Sequence, residues 1–249
     1  MELHAISTIK YVNLAGKGLT KIPDLSAYSS LEDLDLSFNR IEEIENIPLT
    51  LDELMLRRNN ITKIKNLPPF LINLYMLGNK ITKIENLPLS LLTLSLSYNQ
   101  ICKIENLPQS LIMLSLNYNN IQKIENLPQS LEYLYCDNNQ ITKIENLPQS
   151  LICLDLHNNH IQKFENLPQL LTTIDIHSNK INKIENLPLN LTHLYLMNNP
   201  INEIKSLPQC LISIHMYGKS VNIDELRLVL QLDLLYDIEN DKILEPTIL

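Results

Sequence analysis

Two short motifs, Asp155-x-His157 and Asp175-x-His177, sit twenty positions apart in a chain of 249 residues, and five of its six histidines fall between 157 and 215. Carboxylates beside imidazoles can serve three kinds of chemistry. They can ligate a zinc-like ion through nitrogen and oxygen donors. They can supply the base for a nucleophile, for which Cys153 is the nearby thiol. They can also offer a partner a polar surface whose charge responds near neutral pH. Tyrosines surround them (Tyr133, Tyr135, Tyr195 and Tyr217), and tyrosine gives large, rigid contact area with one polar tip. Which chemistry applies depends on the elements that hold these side chains.

Those elements repeat. Prolines fall every twenty residues from Pro48 to Pro208, and asparagines every twenty from Asn39 to Asn199. Between them runs L-x-x-L-x-L-x-x-N-x-I-x-K-I-E-N-L-P-x-S, with units beginning at Leu31, Leu51, Leu71, Leu91, Leu111, Leu131, Leu151, Leu171, Leu191 and Leu211. An earlier unit of twenty-two residues starts at Ile9, giving eleven in all. In Leu111-x-x-Leu114-x-Leu116 the last two leucines alternate as in a strand with one buried face. Ile121, Ile124 and Leu127 point the return segment to the same interior. One unit cannot bury these positions alone, but stacked neighbours can. Strands stacked in one direction form a parallel sheet, and eleven of them at ~4.8 Å extend roughly 50 Å. The asparagine after each strand is placed to satisfy backbone groups leaving the ladder, in its own unit and the next. Lys17 and Lys219 replace it at the two ends, where a unit faces water. Asn106-Leu107-Pro108 and its equivalents suit an extended or polyproline return segment rather than a helix.

These residues resemble the leucine-rich repeat family, over about residues 9 to 221. The N-x-I-x-K-I-E-N-L stretch is similar to the protein-phosphatase-regulator class, whose repeats are usually longer, and the twenty-residue period with L-P-x-x-L is similar to bacterial secreted effectors. The combination with an Asn-, Ile- and Lys-rich composition most resembles leucine-rich repeat proteins of giant DNA viruses. The resemblance implies a solenoid with its parallel sheet on a concave face. Its convex face would be extended, polyproline or 3-10 segments, and its curvature weak. Three regions are expected: an N-terminal cap and first repeat over 1–30, ten repeats over 31–221, and a C-terminal cap and acidic tail over 222–249. Asn222 through Glu225 has the spacing of a helix N-cap, predicting a short capping helix, although the alternation from Leu226 to Leu234 also suits a strand. Bacterial effectors often carry a C-terminal ubiquitin-ligase domain. The stretch beyond the last repeat is too short for one, so that activity is not expected.

Composition narrows the function. Hydrophobic residues at 45% and charged residues at 19% are those of a globular chain. No apolar stretch reaches the roughly 20 residues of a membrane span. The net charge of −8 argues against nucleic acid as partner. The four cysteines follow no C-x-x-C spacing and the N-terminus lacks a signal-peptide layout, so a reducing, intracellular and cytoplasmic setting is expected, with a monomer and no cofactor. Motifs of the G-x-S-x-G, H-E-x-x-H and Walker types are absent.

Function is then expected at the exposed inter-leucine positions, the third, fifth, seventh and eighth of each unit. Along the outer face, Lys63 through Lys183 alternate with Glu85 through Glu185. These charges cancel, so that face reads as a self-screened surface. The inner face varies. The earlier units offer Asp33, Asp35, Phe38, Glu53, Arg57, Arg58, Tyr75, Tyr98 and Tyr118. The later ones offer Tyr133, Tyr135, Asp137, Asp155, His157, Asp175, His177, His193, Tyr195, Met197, His215 and Tyr217, and this group is the expected docking patch for a protein. The expected function is a non-enzymatic protein–protein interaction scaffold. The alternatives are a phosphatase regulatory subunit and a metal-dependent or hydrolytic His/Asp site. Parallel strand side chains do not converge on a tetrahedral point, which tells against the metal. An open sheet lacks the enclosure a catalytic thiol needs, which tells against Cys153 as nucleophile.

Overall fold

A computed structural model describes residues 8–216 except Phe164, together with the backbone of residues 219–220, 236–237 and 242–243. Each repeat contributes one strand of three residues (four in the last) around its second aliphatic position, and two repeats add a two-residue strand on the return side. In chain order these are β1 (Tyr11–Asn13), β2 (Asp33–Asp35), β3 (Glu53–Met55), β4 (Asn73–Tyr75), β5 (Thr93–Ser95) and β6 (Met113–Ser115). Then come β7 (Tyr133–Tyr135), β8 (Cys153–Asp155), β9 (Thr173–Asp175), β10 (Lys183–Ile184), β11 (His193–Tyr195), β12 (Glu203–Ile204) and β13 (Ser213–Met216). All but β10 and β12 align in sequence order in one parallel sheet. Leu34 faces Leu54, Leu54 faces Leu74, and the register continues unbroken to Leu194 and Ile214. A last strand, β14 (Lys219–Ser220), pairs antiparallel with β13 and ends the ladder. A separate antiparallel pair joins Tyr236–Asp237 to Lys242–Ile243. The expected capping helix at 223–236 lies outside the described residues, and among those described there is no helix, hence none long and apolar enough to cross a membrane.

The interior is a column of aliphatic side chains. In the unit beginning at Leu111, the side chains of Leu111, Leu114, Leu116 and Ile121 are wholly buried, with Ile124 and Leu127 beside them. Cys136 and Met76 occupy the same column where a leucine would stand.

Two asparagine ladders hold the bends. Asn119 accepts at Oδ1 from the Ile101 N–H (2.9 Å), and its Nδ2 donates to the carbonyls of Leu96 and Leu116 (both 3.0 Å). The same pattern recurs from Asn39 to Asn199. The buried amide thus reaches back to the preceding unit, not forward to the next as expected from the sequence. The second ladder was not anticipated. The asparagine of each E-N-L-P stretch lies in the left-handed backbone region, φ 53–56° from Asn46 to Asn186. At Asn66, Asn86, Asn106 and Asn126 its Nδ2 donates to an isoleucine carbonyl one unit back. Asparagine tolerates that region better than other non-glycine residues, which accounts for its use there.

The return side is extended, with turns at each proline, and has no 3-10 segment among the described residues. The carbonyl of Pro108 accepts from the Leu111 N–H at 3.3 Å and so turns the chain into the next strand. A short parallel pair, β10 with β12, forms on this side, just ahead of the prolines that forbid a longer ladder.

Candidate partner-binding face

Along β2 to β9 and β11 the central residue is buried and its two neighbours are half-buried, so the third and fifth positions of these units project from the outer surface of the sheet. This is the arrangement expected from the alternation. Tyr133, Tyr135, Asp155, Asp175, His193, Tyr195 and His215 all lie there, and His157, His177 and Met197 follow just past the strand ends, all half-buried. Tyr217 lies outside the described residues.

Register brings like side chains together. The rings of His157 and His177 stack at 4.3 Å with an interplanar angle of 11°, and those of Tyr195 and His215 at 4.7 Å and 6°. Position seven follows the last strand residue by two, so its side chain meets that of position five. Nδ1 of His157 lies 2.7 Å from Oδ1 of Asp155, and Nδ1 of His177 lies 2.7 Å from Oδ1 of Asp175. His215 bonds Ser213 at 2.7 Å, and His193 bonds Thr192 at 2.9 Å. One predicted member differs in environment. Asp137 is only 3% exposed, and its carboxylate accepts from Asn138 Nδ2 at 2.7 Å while lying 3.5 Å from His157 Nε2. Asn138 thus belongs to the cluster, a contact that hydropathy does not reveal.

The donor atoms are closer than parallel strands alone suggest. Those of His157, Asp175 and His177 all lie within 4.8 Å of one another, as do those of Asp137, Asp155 and His157. The reason is that position seven lies beyond the pleat, where side chains are free to lean along the sheet. Burial pushes the Asp155 carboxyl above its usual range, against the opposing hydrogen bonds from His157. Tyr135 is pushed up to about 12, first by burial and then by Cys153 on the neighbouring strand. Burial likewise raises the Cys153 thiol, which keeps it in the weakly nucleophilic protonated form.

The earlier repeats carry a second feature, at position eight. Phe38, Arg58, Tyr98 and Tyr118 adopt φ between 52° and 58°. A bulky residue in this region is strained. Yet Phe38, Tyr98 and Tyr118 are 59%, 50% and 45% exposed. Tyr98 and Tyr118 stack at 4.1 Å, the Arg58 guanidinium lies 5.9 Å from the Phe38 ring centre, and Arg57 lies 4.8 Å from that of Tyr75. Between them, Gly78 takes the same backbone turn at φ 73° and leaves a gap in the row. The sequence showed these side chains as exposed, but not that their backbone is strained.

The comparisons with known proteins agree with this architecture. Residues 109–149 match the family model described as Leucine Rich repeats (2 copies). No curated protein sequence matches significantly. Among solved structures, YopM from Yersinia enterocolitica is similar over 80% of this chain and 48% of its own, at 28% identity and a TM-score of 0.68. The present chain therefore spans about half the length of that protein. InlJ from Listeria monocytogenes aligns over 92% of this chain and 58% of its own (20% identity, TM-score 0.66). An octameric complex of Latrophilin 3, Unc5D and the leucine-rich-repeat part of FLRT2 aligns over 81% of this chain and 77% of the matched one (22%, TM-score 0.67). Residues 109–149 thus carry leucine-rich repeats, and the fold is a parallel β-solenoid of the leucine-rich-repeat type with eleven strand-bearing turns among the described residues.

Proposed function

We propose that the protein is a non-enzymatic scaffold that holds a protein partner across the exposed face of its parallel sheet. The observation that carries this reading is the row at position eight. Folding favours Asn or Gly in a left-handed turn, and Asn138, Asn158 and Asn198 show that the repeat accepts Asn. Phe38, Tyr98 and Tyr118 bury little and strain the chain, so their use there is accounted for by contact with something outside it. The Tyr/His/Asp patch of the later repeats extends the same surface, with ring stacks that hold its side chains in one conformation before a partner arrives. The return face, by contrast, keeps nearly one sequence from unit to unit. The leucine-rich-repeat part of FLRT2 stands in a multiprotein complex, a likeness that carries the fold alone. The free thiols of Cys102, Cys136, Cys153 and Cys210 go with the intracellular setting proposed for this chain.

Co-purification or proximity labelling would name the partner. Capture of that partner should then fall at least tenfold in the triple variant Tyr135→Ala, Asp155→Ala, His157→Ala, and separately in Tyr98→Asn with Tyr118→Asn. Full capture by both variants would remove the strand face from consideration.

A further inference from the structure

The position-eight row of the earlier repeats has one missing rung. Phe38 and Arg58 stand on one side of it, Tyr98 and Tyr118 on the other, and Gly78 holds the place between. The turn there is otherwise regular. Gly78 takes the same left-handed conformation, the Arg58 N–H donates to the Leu77 carbonyl (2.7 Å), and the Gly78 N–H donates to the Ser97 carbonyl (2.9 Å). Only a side chain is missing. Where aromatic rungs are adjacent they close into contact, as Tyr98 and Tyr118 do at 4.1 Å. Arg58 and Tyr98 stand two strand spacings apart, ~9.6 Å at the backbone. A flat group stacked on both sides needs ~7–8 Å, twice the usual carbon contact distance. The gap is therefore the size of one ring.

Its walls set the chemistry. One wall is the exposed Arg58, which forms no ion pair among the described residues. Its stem borders the gap, with Cγ 3.2 Å from the point a Cβ on residue 78 would take. A guanidinium has two faces, and Phe38 lies along one, at 5.9 Å. The other wall is the exposed Tyr98 ring, backed by Tyr118. The walls are close enough to interact: the Tyr98 phenol is raised above its usual range, first by its hydrogen bond to Tyr118, while the Arg58 charge pulls the other way. Beside the gap stands the half-buried Leu77, where the neighbouring turns carry Arg57 and Ser97. A cation on one side and a phenol on the other favour an aromatic ring, with its electron-rich faces, over an aliphatic chain.

We propose that the gap at Gly78 receives one aromatic side chain of the protein partner, stacked between the Arg58 guanidinium and the Tyr98 ring. The slot presupposes that the row docks a protein, and it specifies what that protein brings: a Phe, Tyr or Trp that completes the stack from Phe38 to Tyr118. The rival is that glycine only makes room for the Arg58 stem and nothing is bound there.

The chain has no tryptophan, so indole emission reports an added probe alone. N-acetyltryptophanamide titrated with the full chain should gain fluorescence anisotropy. N-acetyltyrosinamide should displace it, and N-acetylleucinamide should not. Arg58→Gln and Tyr98→Asn, each altering one wall at an exposed position, should weaken binding at least fivefold. Gly78→Tyr, which supplies the missing rung, should abolish it. The melting temperature shows whether that variant keeps its fold, and the two wall variants decide where it does not. No rise in anisotropy, equal displacement by the leucine amide, tighter displacement by AMP than by the tyrosine amide, or binding unmoved by both wall variants would each overturn the slot. Capture of the partner separates the two readings. It should fall at least tenfold in Gly78→Tyr. Capture lost in Tyr98→Asn with Tyr118→Asn but kept in Arg58→Gln and Gly78→Tyr would refute the slot and leave the docking face standing. Capture kept in all of these variants would refute both.

Discussion

The earlier and later repeats share one backbone and use it in opposite ways. At position eight φ is 52–58° in both halves, for Phe38, Arg58, Tyr98 and Tyr118 as for Asn138, Asn158, Ser178 and Asn198. In the earlier half that strained, exposed position carries large side chains, while the neighbouring position seven holds Ser37, Ser97 and Asn117, with Arg57 the charged exception. In the later half position eight is relaxed by Asn or Ser. The chemistry moves one residue back to the buried Asp137 and the half-buried His157 and His177, where it is hydrogen-bonded. The repeat therefore offers two kinds of display from a single turn. One is apolar, exposed and costly to folding; the other is polar, pre-paired and conformationally cheap.

Changes to the shared column should erase the contrast and have the largest effect. Leu114→Ala and Leu154→Ala each empty a wholly buried position, and each should cost about 2–5 kcal/mol in urea denaturation. A clear inequality between them would mean that the halves unfold separately. Next comes the ladder. Asn119→Leu strands the Ile101 N–H and the carbonyls of Leu96 and Leu116, and should cost roughly 1–3 kcal/mol. A cost below ~0.5 kcal/mol would show that backbone pairing alone holds the turns.

The contrast itself is sharpened by exchanging position eight. Phe38→Asn should stabilise by ~0.5–1 kcal/mol through relief of left-handed strain, and Asn158→Tyr should destabilise by a similar amount. If Phe38→Asn instead lowered the melting temperature, the row would be structural and its use in binding would lose its support. The smallest effect is a titration. The Tyr135 phenol is held up to about 12 in the folded chain, against its usual 10.0. The folded state therefore holds this proton more tightly than the unfolded one. Its contribution to stability is complete below pH 10 and is lost as pH rises through about 12. Ultraviolet difference titration of Tyr135→Phe should lack that late alkaline step and keep the earlier ones.

Much of this was legible in the residues because a twenty-residue period leaves few ways to stack. The leucine spacing gave the strands, their register and the column behind them. Alternation put Tyr133, Tyr135, Asp155 and Asp175 on the displayed face, where they are. Backbone handedness was not legible from hydropathy, so the strain at Phe38, Tyr98 and Tyr118 went unseen. The second ladder also went unseen, although the unbroken asparagine at Asn46 through Asn186 was its signal. Asp137 was misjudged because position seven lies past the pleat, where alternation no longer says which way a side chain leans. For the same reason, the convergence of the His/Asp cluster exceeds what rigid parallel strands allow.

The backward reach of the buried amide gives the stack a direction. Each new coil completes the one laid down before it, and its own Ile N–H is taken up in turn by the asparagine of the coil that follows. Whole coils can be added or lost in the middle without disturbing any other joint. The trailing end alone must find a different closure, and there the ladder stops running parallel: β14 turns back against β13.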